Sequence, residues 1–224
     1  MIKLAVFDLD GTLVNSIEDL ADACNKALEV FDFPIHSLEE YKYFLGDGVR
    51  NLISRAMPEE KRSERTIDEV HAIFKSYYEK NYINKTTAYD GIPRLLSELK
   101  KAGLILAVAS NKPDEFTKKV VEKLFEEDTF EIAVGNVQGV AHKPDPEIVF
   151  RILSELNIGK EQAVFIGDTD VDIKTGKNAG LKTIGCLWGF REINELLKAG
   201  ADFIASHPLD ILNYPNFNYG GEKR

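Results

Sequence analysis

The sequence predicts an α/β protein, with one parallel sheet covered by helices on both faces and a helical unit inserted after the first strand. Three observations predict it. Short apolar runs without polar alternation recur at 2–7, 104–109 and 163–166, the pattern of strands buried on both faces. Segments of helical spacing separate the later runs, the order that builds parallel crossover connections. Between 16 and 85 only helical periodicity occurs, so that stretch stands outside the alternation. The arrangement is Rossmann-like, with 1–15 and 86–224 as the α/β core and 16–85 as the insert.

Each element has its own signal. Ile2 to Phe7 reads as a buried strand. Ser16-Ile17-Glu18-Asp19 is a helix start with Ser16 as cap and an acid three residues on. Leu20, Ala23, Cys24, Ala27, Leu28 and Phe31 then line one helical face, which ends near Phe33-Pro34. Ser37-Leu38-Glu39-Glu40 opens a second helix, and Gly46-Asp47-Gly48 interrupts before Val49, Leu52, Ile53 and Ala56 resume the spacing. Ile67, Val70, Ile73, Phe74 and Tyr77 mark the last helix of the insert.

From Tyr89 the alternation begins. Pro93 sits in the first turn of a helix that Gly103 stops. A strand over Leu104 to Ala109 closes on Ser110-Asn111-Lys112-Pro113, followed by a helix from Asp114 to about Glu127 and a short strand over Phe130 to Val134. Lys143-Pro144-Asp145-Pro146 opens a helix to about Leu156. The strand Ala163 to Ile166 closes on Gly167-Asp168-Thr169-Asp170-Val171-Asp172, and the helix after it ends at Ala179-Gly180. Strands at Lys182 to Cys186 and Asp202 to Ala205 complete the sheet, and the polar tail from Asn213 is expected to be loosely held.

Composition narrows the function. The net charge of −9 argues against a general nucleic-acid binder, which needs a basic face. No apolar run approaches spanning length and no signal-peptide pattern opens the chain, so a cytoplasmic protein without membrane contact is expected. Cys24 and Cys186 lie far apart in elements expected to be buried and read as packed thiols. The four histidines, His36, His71, His142 and His207, show no ligand spacing and read as structural or surface residues.

Ligands of open parallel sheets collect outside the carboxyl ends of the strands. Those ends carry Asp8 and Asp10, Ser110 and Asn111, and Asp168 with Asp172, while Lys143 opens a helix on the same side. Acids so close repel by about 4 kcal/mol per pair at an effective dielectric near 20, which a divalent cation resolves. Oxygen ligands without a His or Cys cluster favour Mg²⁺. A metal, an amine, a hydroxyl and helix N-termini together suit a phosphate group. One of the first two carboxylates can then act as nucleophile and the other as proton carrier.

Asp8-Leu9-Asp10-Gly11-Thr12, Ser110-Asn111, Lys143-Pro144 and Gly167-Asp168 to Asp172 resemble, in order, the four motifs of the haloacid dehalogenase superfamily. The resemblance implies Asp8 as nucleophile and Asp10 as general acid/base, with Mg²⁺ held by Asp8, Asp168 and the Asp10 carbonyl. It implies Gly11, Thr12, Ser110 and Asn111 around the phosphoryl group, Lys143 offsetting charge, and Asp172 steadying the metal shell or Lys143. The insert is similar to the helical cap of that superfamily. The Gly-x-Gly loop, Val14-Asn15-Ser16, Ser110-Asn111-Lys112 and Trp188-Gly189-Phe190 look most like the phosphoglycolate phosphatase branch, which often has Asp where Asn15 stands and Thr where Ser110 stands.

The expected activity is thus Mg²⁺-dependent hydrolysis of a small phosphorylated metabolite, phosphoglycolate first among candidates, through an aspartyl phosphate. A β-phosphoglucomutase-like mutase and a pyrophosphatase or nucleotidase of the same superfamily are alternatives. A phospho-accepting regulatory module is the alternative from another class, and Asp10 and the helical insert speak against it. Gly48 and Arg50 of the Gly-rich loop are candidate specificity residues, Arg50 by a forked grip on the non-reacting end of the substrate. The oligomeric state has no signature in the sequence.

Overall fold

The structure, a computed structural model, describes residues 1–215 and 217. The chain runs β1 (Leu4–Phe7), β2 (Val14–Asn15), α1 (Ile17–Val30), α2 (Leu38–Phe44), α3 (Val49–Ala56), α4 (Glu64–Asn81) and β3 (Thr87–Ala88). It continues through α5 (Ile92–Lys101), β4 (Ile105–Pro113), α6 (Asp114–Leu124), β5 (Ile132–Asn136) and α7 (Glu147–Leu156). Last come β6 (Ala163–Gly167), α8 (Asp170–Asn178), β7 (Lys182–Cys186), α9 (Ile193–Ala199) and β8 (Phe203–Ala205).

Six strands form one parallel sheet in the order β5-β4-β1-β6-β7-β8, with β1 paired to β4 and β6 in register at Leu4↔Ile105 and Leu4↔Ala163. Successive side chains of a strand face opposite sides. Leu4 and Val6 accordingly join the core with Val149 and Ile152 of α7, while Ala5 and Phe7 join the one with Leu95 and Leu99 of α5. All four β1 residues are fully buried, which is why the strand is apolar throughout.

The helices α1 to α4 build a separate core around Leu20, Cys24, Leu28, Tyr41, Leu52 and Phe74, closed by Phe116 and Phe190 from the sheet-bearing part. Two crossings connect them to the sheet. β2 and β3 form an antiparallel ribbon, Val14 opposite Ala88. Beside it the buried Asp19 carboxylate accepts hydrogen bonds from the Thr86 amide at 2.8 Å, the Thr86 hydroxyl at 2.6 Å and the Lys85 amide. Entry to and exit from the insert are thereby tied together.

Four expectations need correction. α1 stops at Val30 rather than near Phe33-Pro34, because Asp32 takes φ 52°, outside helical geometry. Ser16 precedes α1 but its side chain does not cap it, since its hydroxyl donates to Asp10 at 2.5 Å. β4 does not end before Ser110 but runs to Pro113, with a register shift against β5 after Ala109. The tail expected to be loose from Asn213 is anchored at its start, where a 3₁₀ turn (Pro208–Asn213) precedes buried Tyr214 and Phe217, and the rest of that stretch lies outside the described residues. Both cysteines are buried and free.

Candidate active site

β1 delivers Asp8 and Asp10 to the carboxyl edge of the sheet, where β4 brings Ser110 to Lys112 and β6 brings Asp168. The turn after Asp10 depends on Gly11, whose φ of 90° disfavours a side chain and whose Cβ would meet Asp168 Oδ2 at 2.3 Å. Gly189 approaches as closely from the other side, where a Cβ would lie 2.3 Å from Asp168 Cβ. Asp168 is thus seated between two glycines. Its Oδ1 accepts from the Thr12 hydroxyl at 2.8 Å and its Oδ2 from the Phe190 amide at 2.8 Å.

Lys143 is 2% exposed and holds two acids at once. Its Nζ lies 2.7 Å from Asp8 Oδ1, 2.7 Å from Asp172 Oδ1 and 3.0 Å from the Ala109 carbonyl. Asp172 is fixed from its other oxygen by the Thr169 amide and hydroxyl, in a capping box that also starts α8. Asn111 steadies the loop that carries the lysine: its Oδ1 accepts from the Lys143 amide at 2.8 Å, and its Nδ2 donates to the Lys143 carbonyl at 3.1 Å. The same Nδ2 reaches the Gly46 carbonyl of the Gly-rich loop at 3.3 Å.

The electrostatics follow from this crowding. Burial, then the Asp172 charge, push the Asp8 carboxyl up to about 7 against the pull of Lys143. Burial, then Asp172 and Asp8, push Asp168 well above the usual carboxylate range. Burial disfavours the Lys143 ammonium, but Asp172 and Asp8 outweigh it and hold the lysine above its ordinary value. Among the described residues, Asp8, Asp168 and Asp172 form the one group of acids whose ligand atoms all lie within 4.8 Å of each other. Three carboxylates against one ammonium leave two negative charges in a buried site, a deficit that fits a divalent cation.

Above the sheet edge lies a cleft of about 200 Å³ between the sheet and the helical insert. Asp8, Asp10, Ser110, Asn111 and Gly48 line it, so these expected residues meet in one place. Two others do not. Thr12 is fully buried beneath Asp168 and spends its hydroxyl there, so it supports that acid and is not part of the cleft wall. Arg50 lies on the outer side of the insert, paired with Asp68 and, at 2.5 Å, with Glu64, and its charge is solvated there. Trp188 packs against the sheet core and donates its indole N–H to the Thr12 carbonyl.

The structure gives positions in the site to residues for which the sequence reading expects no role there. Lys112 is buried and donates to both Asp10 oxygens at 2.9 Å, fixing with Ser16 the orientation of that carboxylate. A period-two strand reading carried past Ser110 would have turned Lys112 to the same side. His71, expected to be structural or exposed, lines the cleft from α4 beside Phe74, Lys75 and Tyr78. From the loop after β7, Arg191 donates to the Leu45 carbonyl at 2.8 Å and to the Lys42 carbonyl, tying that loop to the insert.

Comparison with known proteins identifies relatives over nearly the whole chain. Residues 5–186 match the family of haloacid dehalogenase-like hydrolases. The phosphoglycolate phosphatase of Aquifex aeolicus is 35% identical over 94% of this chain and 95% of its own length. That of Psychrobacter arcticus is 34% identical over 96% and 99%. A crystal structure from Lactobacillus delbrueckii subsp. bulgaricus superposes with a TM-score of 0.89 at 32% identity, covering 93% of this chain and 96% of that one.

Proposed function

The chain belongs to the haloacid dehalogenase-like hydrolases and is a phosphoric monoester hydrolase, and from that premise we propose that it is a Mg²⁺-dependent phosphatase of small substrates, phosphoglycolate foremost. The observation that carries this reading is the geometry around Asp8. Its carboxylate is buried, held by Lys143 and placed at the floor of a cleft whose roof is the helical insert.

In this reading Asp8 attacks phosphorus, and the phosphoryl group passes to its oxygen as the bond to the leaving alkoxide breaks. Asp10, oriented by Lys112 and Ser16, gives its proton to that alkoxide and later takes one from the water that cleaves the aspartyl phosphate. Ser110 and the backbone beside Asn111 receive the phosphoryl oxygens, and Lys143 balances charge on Asp8 throughout. Asp8, Asp168 and the Asp10 carbonyl would hold Mg²⁺, with Asp172 beside them, and the ion would supply charge neutralisation for the phosphoryl oxygens. The insert of 16–85 acts as a cap that excludes water. Two names among the relatives support phosphoglycolate, since both are phosphoglycolate phosphatases.

A panel of phosphomonoesters tests the reading. Mg²⁺-dependent release of free phosphate, with phosphoglycolate the best substrate, is expected. Conversion of a hexose 1-phosphate to its isomer without release of phosphate would instead identify a mutase.

Metal binding has its own signature. The Asp8 carboxyl lies above its unfolded value of 3.8, at about 7. The native state of metal-free protein therefore binds the extra proton, and its stability falls as pH rises through that window. A metal ion competes with that proton and needs the carboxylates ionised. The rise in Tm on adding Mg²⁺ is thus expected to be small at about pH 5 and larger at about pH 8. A shift in Tm that is equal at both pH values would contradict the assignment of the ion to this cluster.

A further inference from the structure

One polar atom in the cleft stands apart. Tyr78, on α4, is 2% exposed, and its hydroxyl is the only buried side-chain nitrogen or oxygen among the described residues without a hydrogen-bond partner. A buried donor left unpaired is costly, so such an atom calls for a partner that arrives from outside the chain. The cleft is the place from which it would come, because Tyr78 forms part of its wall. Burial pushes this phenol up to about 12 against the pull of the Lys112 ammonium, so near neutral pH it is an O–H donor.

Tyr78 has a neighbour of matching chemistry. Lys112 Nζ lies 5.2 Å from the Tyr78 ring centroid and is itself buried. It donates to two oxygens of Asp10, and an ammonium has three N–H groups. Phe74 and Phe116 pack on the Tyr78 ring, and Leu20, Leu52 and Phe190 line the same cleft. A phenol O–H and an ammonium N–H set in an apolar wall complement a compact acceptor, above all an anion. His71 and Lys75, on the same face of α4 as Tyr78 by their i, i+4 and i+7 spacing, line the rest of that side.

We propose that Tyr78 and Lys112 form a second pole of the site, which binds a carboxylate on the non-reacting end of the substrate. The proposal deepens the phosphatase reading and rests on it. It also moves the role expected of Arg50 from the Gly-rich loop to α4 and β4. A substrate with an apolar end would leave the Tyr78 hydroxyl unpaired, so the pair selects for an anionic terminus and against a plain alkyl phosphate.

The test compares phosphoglycolate with ethyl phosphate and 2-hydroxyethyl phosphate, on wild-type protein and on Tyr78→Phe. Phenylalanine keeps the ring stacked on Phe74 at 5.3 Å and set edge-on to Phe116 at 5.2 Å. Wild-type protein is expected to prefer phosphoglycolate in kcat/KM, mostly through KM. In Tyr78→Phe the ratio of kcat/KM for phosphoglycolate to that for ethyl phosphate is expected to fall about tenfold or more, as for a lost hydrogen bond to a charged group. A parallel loss on both substrates would assign Tyr78 a structural role and overturn the proposal, as would an unchanged ratio. Wild-type protein gives an independent reading: a preference for 2-hydroxyethyl phosphate over phosphoglycolate overturns the carboxylate pole while leaving the phosphatase intact. Failure to hydrolyse any of the three overturns the phosphatase reading and the inference with it.

Discussion

Asp8→Asn is expected to lower turnover by about 10⁴-fold or more while the protein stays folded. An amide has neither the charge nor the lone-pair reactivity to take a phosphoryl group, and no second carboxylate can replace it. Asp10 is occupied by Lys112 and Ser16, and Asp172 by Lys143 and Thr169. The fold should survive because Asn is isosteric and Lys143 keeps Asp172 and the Ala109 carbonyl as partners. The metal-free Asp8→Asn variant should even melt above wild type at about pH 8. A carboxyl raised from 3.8 to about 7 is a liability on the order of 4 kcal/mol once ionised, and Asn stays neutral. The sign is specific: the wild-type protein loses this stability as pH climbs from about 4 through about 7, and the variant does not. Melting curves across that range, without metal, measure it.

Lys143→Met is expected to have the opposite effect on stability and the same effect on turnover. The lysine bridges Asp8 and Asp172 in a place 2% exposed, and methionine leaves both acids buried without an ammonium. Removing one partner of a buried ion pair costs about 3–5 kcal/mol because the remaining charge is uncompensated. The loss should be largest above about pH 7 and smaller near pH 4, where Asp8 binds a proton, and Mg²⁺ should recover part of it by neutralising the same carboxylates. Denaturant titrations at the two pH values, with and without Mg²⁺, check both statements. Equal destabilisation at both would place the cost in packing against Phe165, whose ring centroid is 5.5 Å from Nζ, rather than in charge.

Much of this arrangement is legible in the sequence for a physical reason. A buried strand has no structural use for acids at its end, so Asp8, Asp10 and Asp168 stand out against the apolar runs that precede them. Their convergence follows from topology alone, because parallel strands deliver their carboxyl ends to one edge. What is not legible depends on side-chain direction. Arg50 and Thr12 have the right residue types at motif positions, yet one turns outward to Asp68 and Glu64 and the other downward to Asp168. Lys112 reads as a surface charge if β4 ends at Ala109, and the continuation of the strand to Pro113 is what carries the lysine to Asp10. On α4 the expected Ile67, Val70, Ile73, Phe74 and Tyr77 all face the insert core, and Tyr78, not singled out by the spacing, is buried there with them. The β2–β3 ribbon has two residues per strand, too short for any periodicity to register.

Asp8 is expected to carry the phosphoryl group during turnover. Rapid acid quench of wild-type protein turning over phosphoglycolate with Mg²⁺, followed by peptide mass mapping, tests it most directly. One added phosphoryl group is predicted, confined to the peptide that contains Asp8 and absent from Asp8→Asn. Phosphoryl on another residue, or steady turnover by Asp8→Asn, would contradict it.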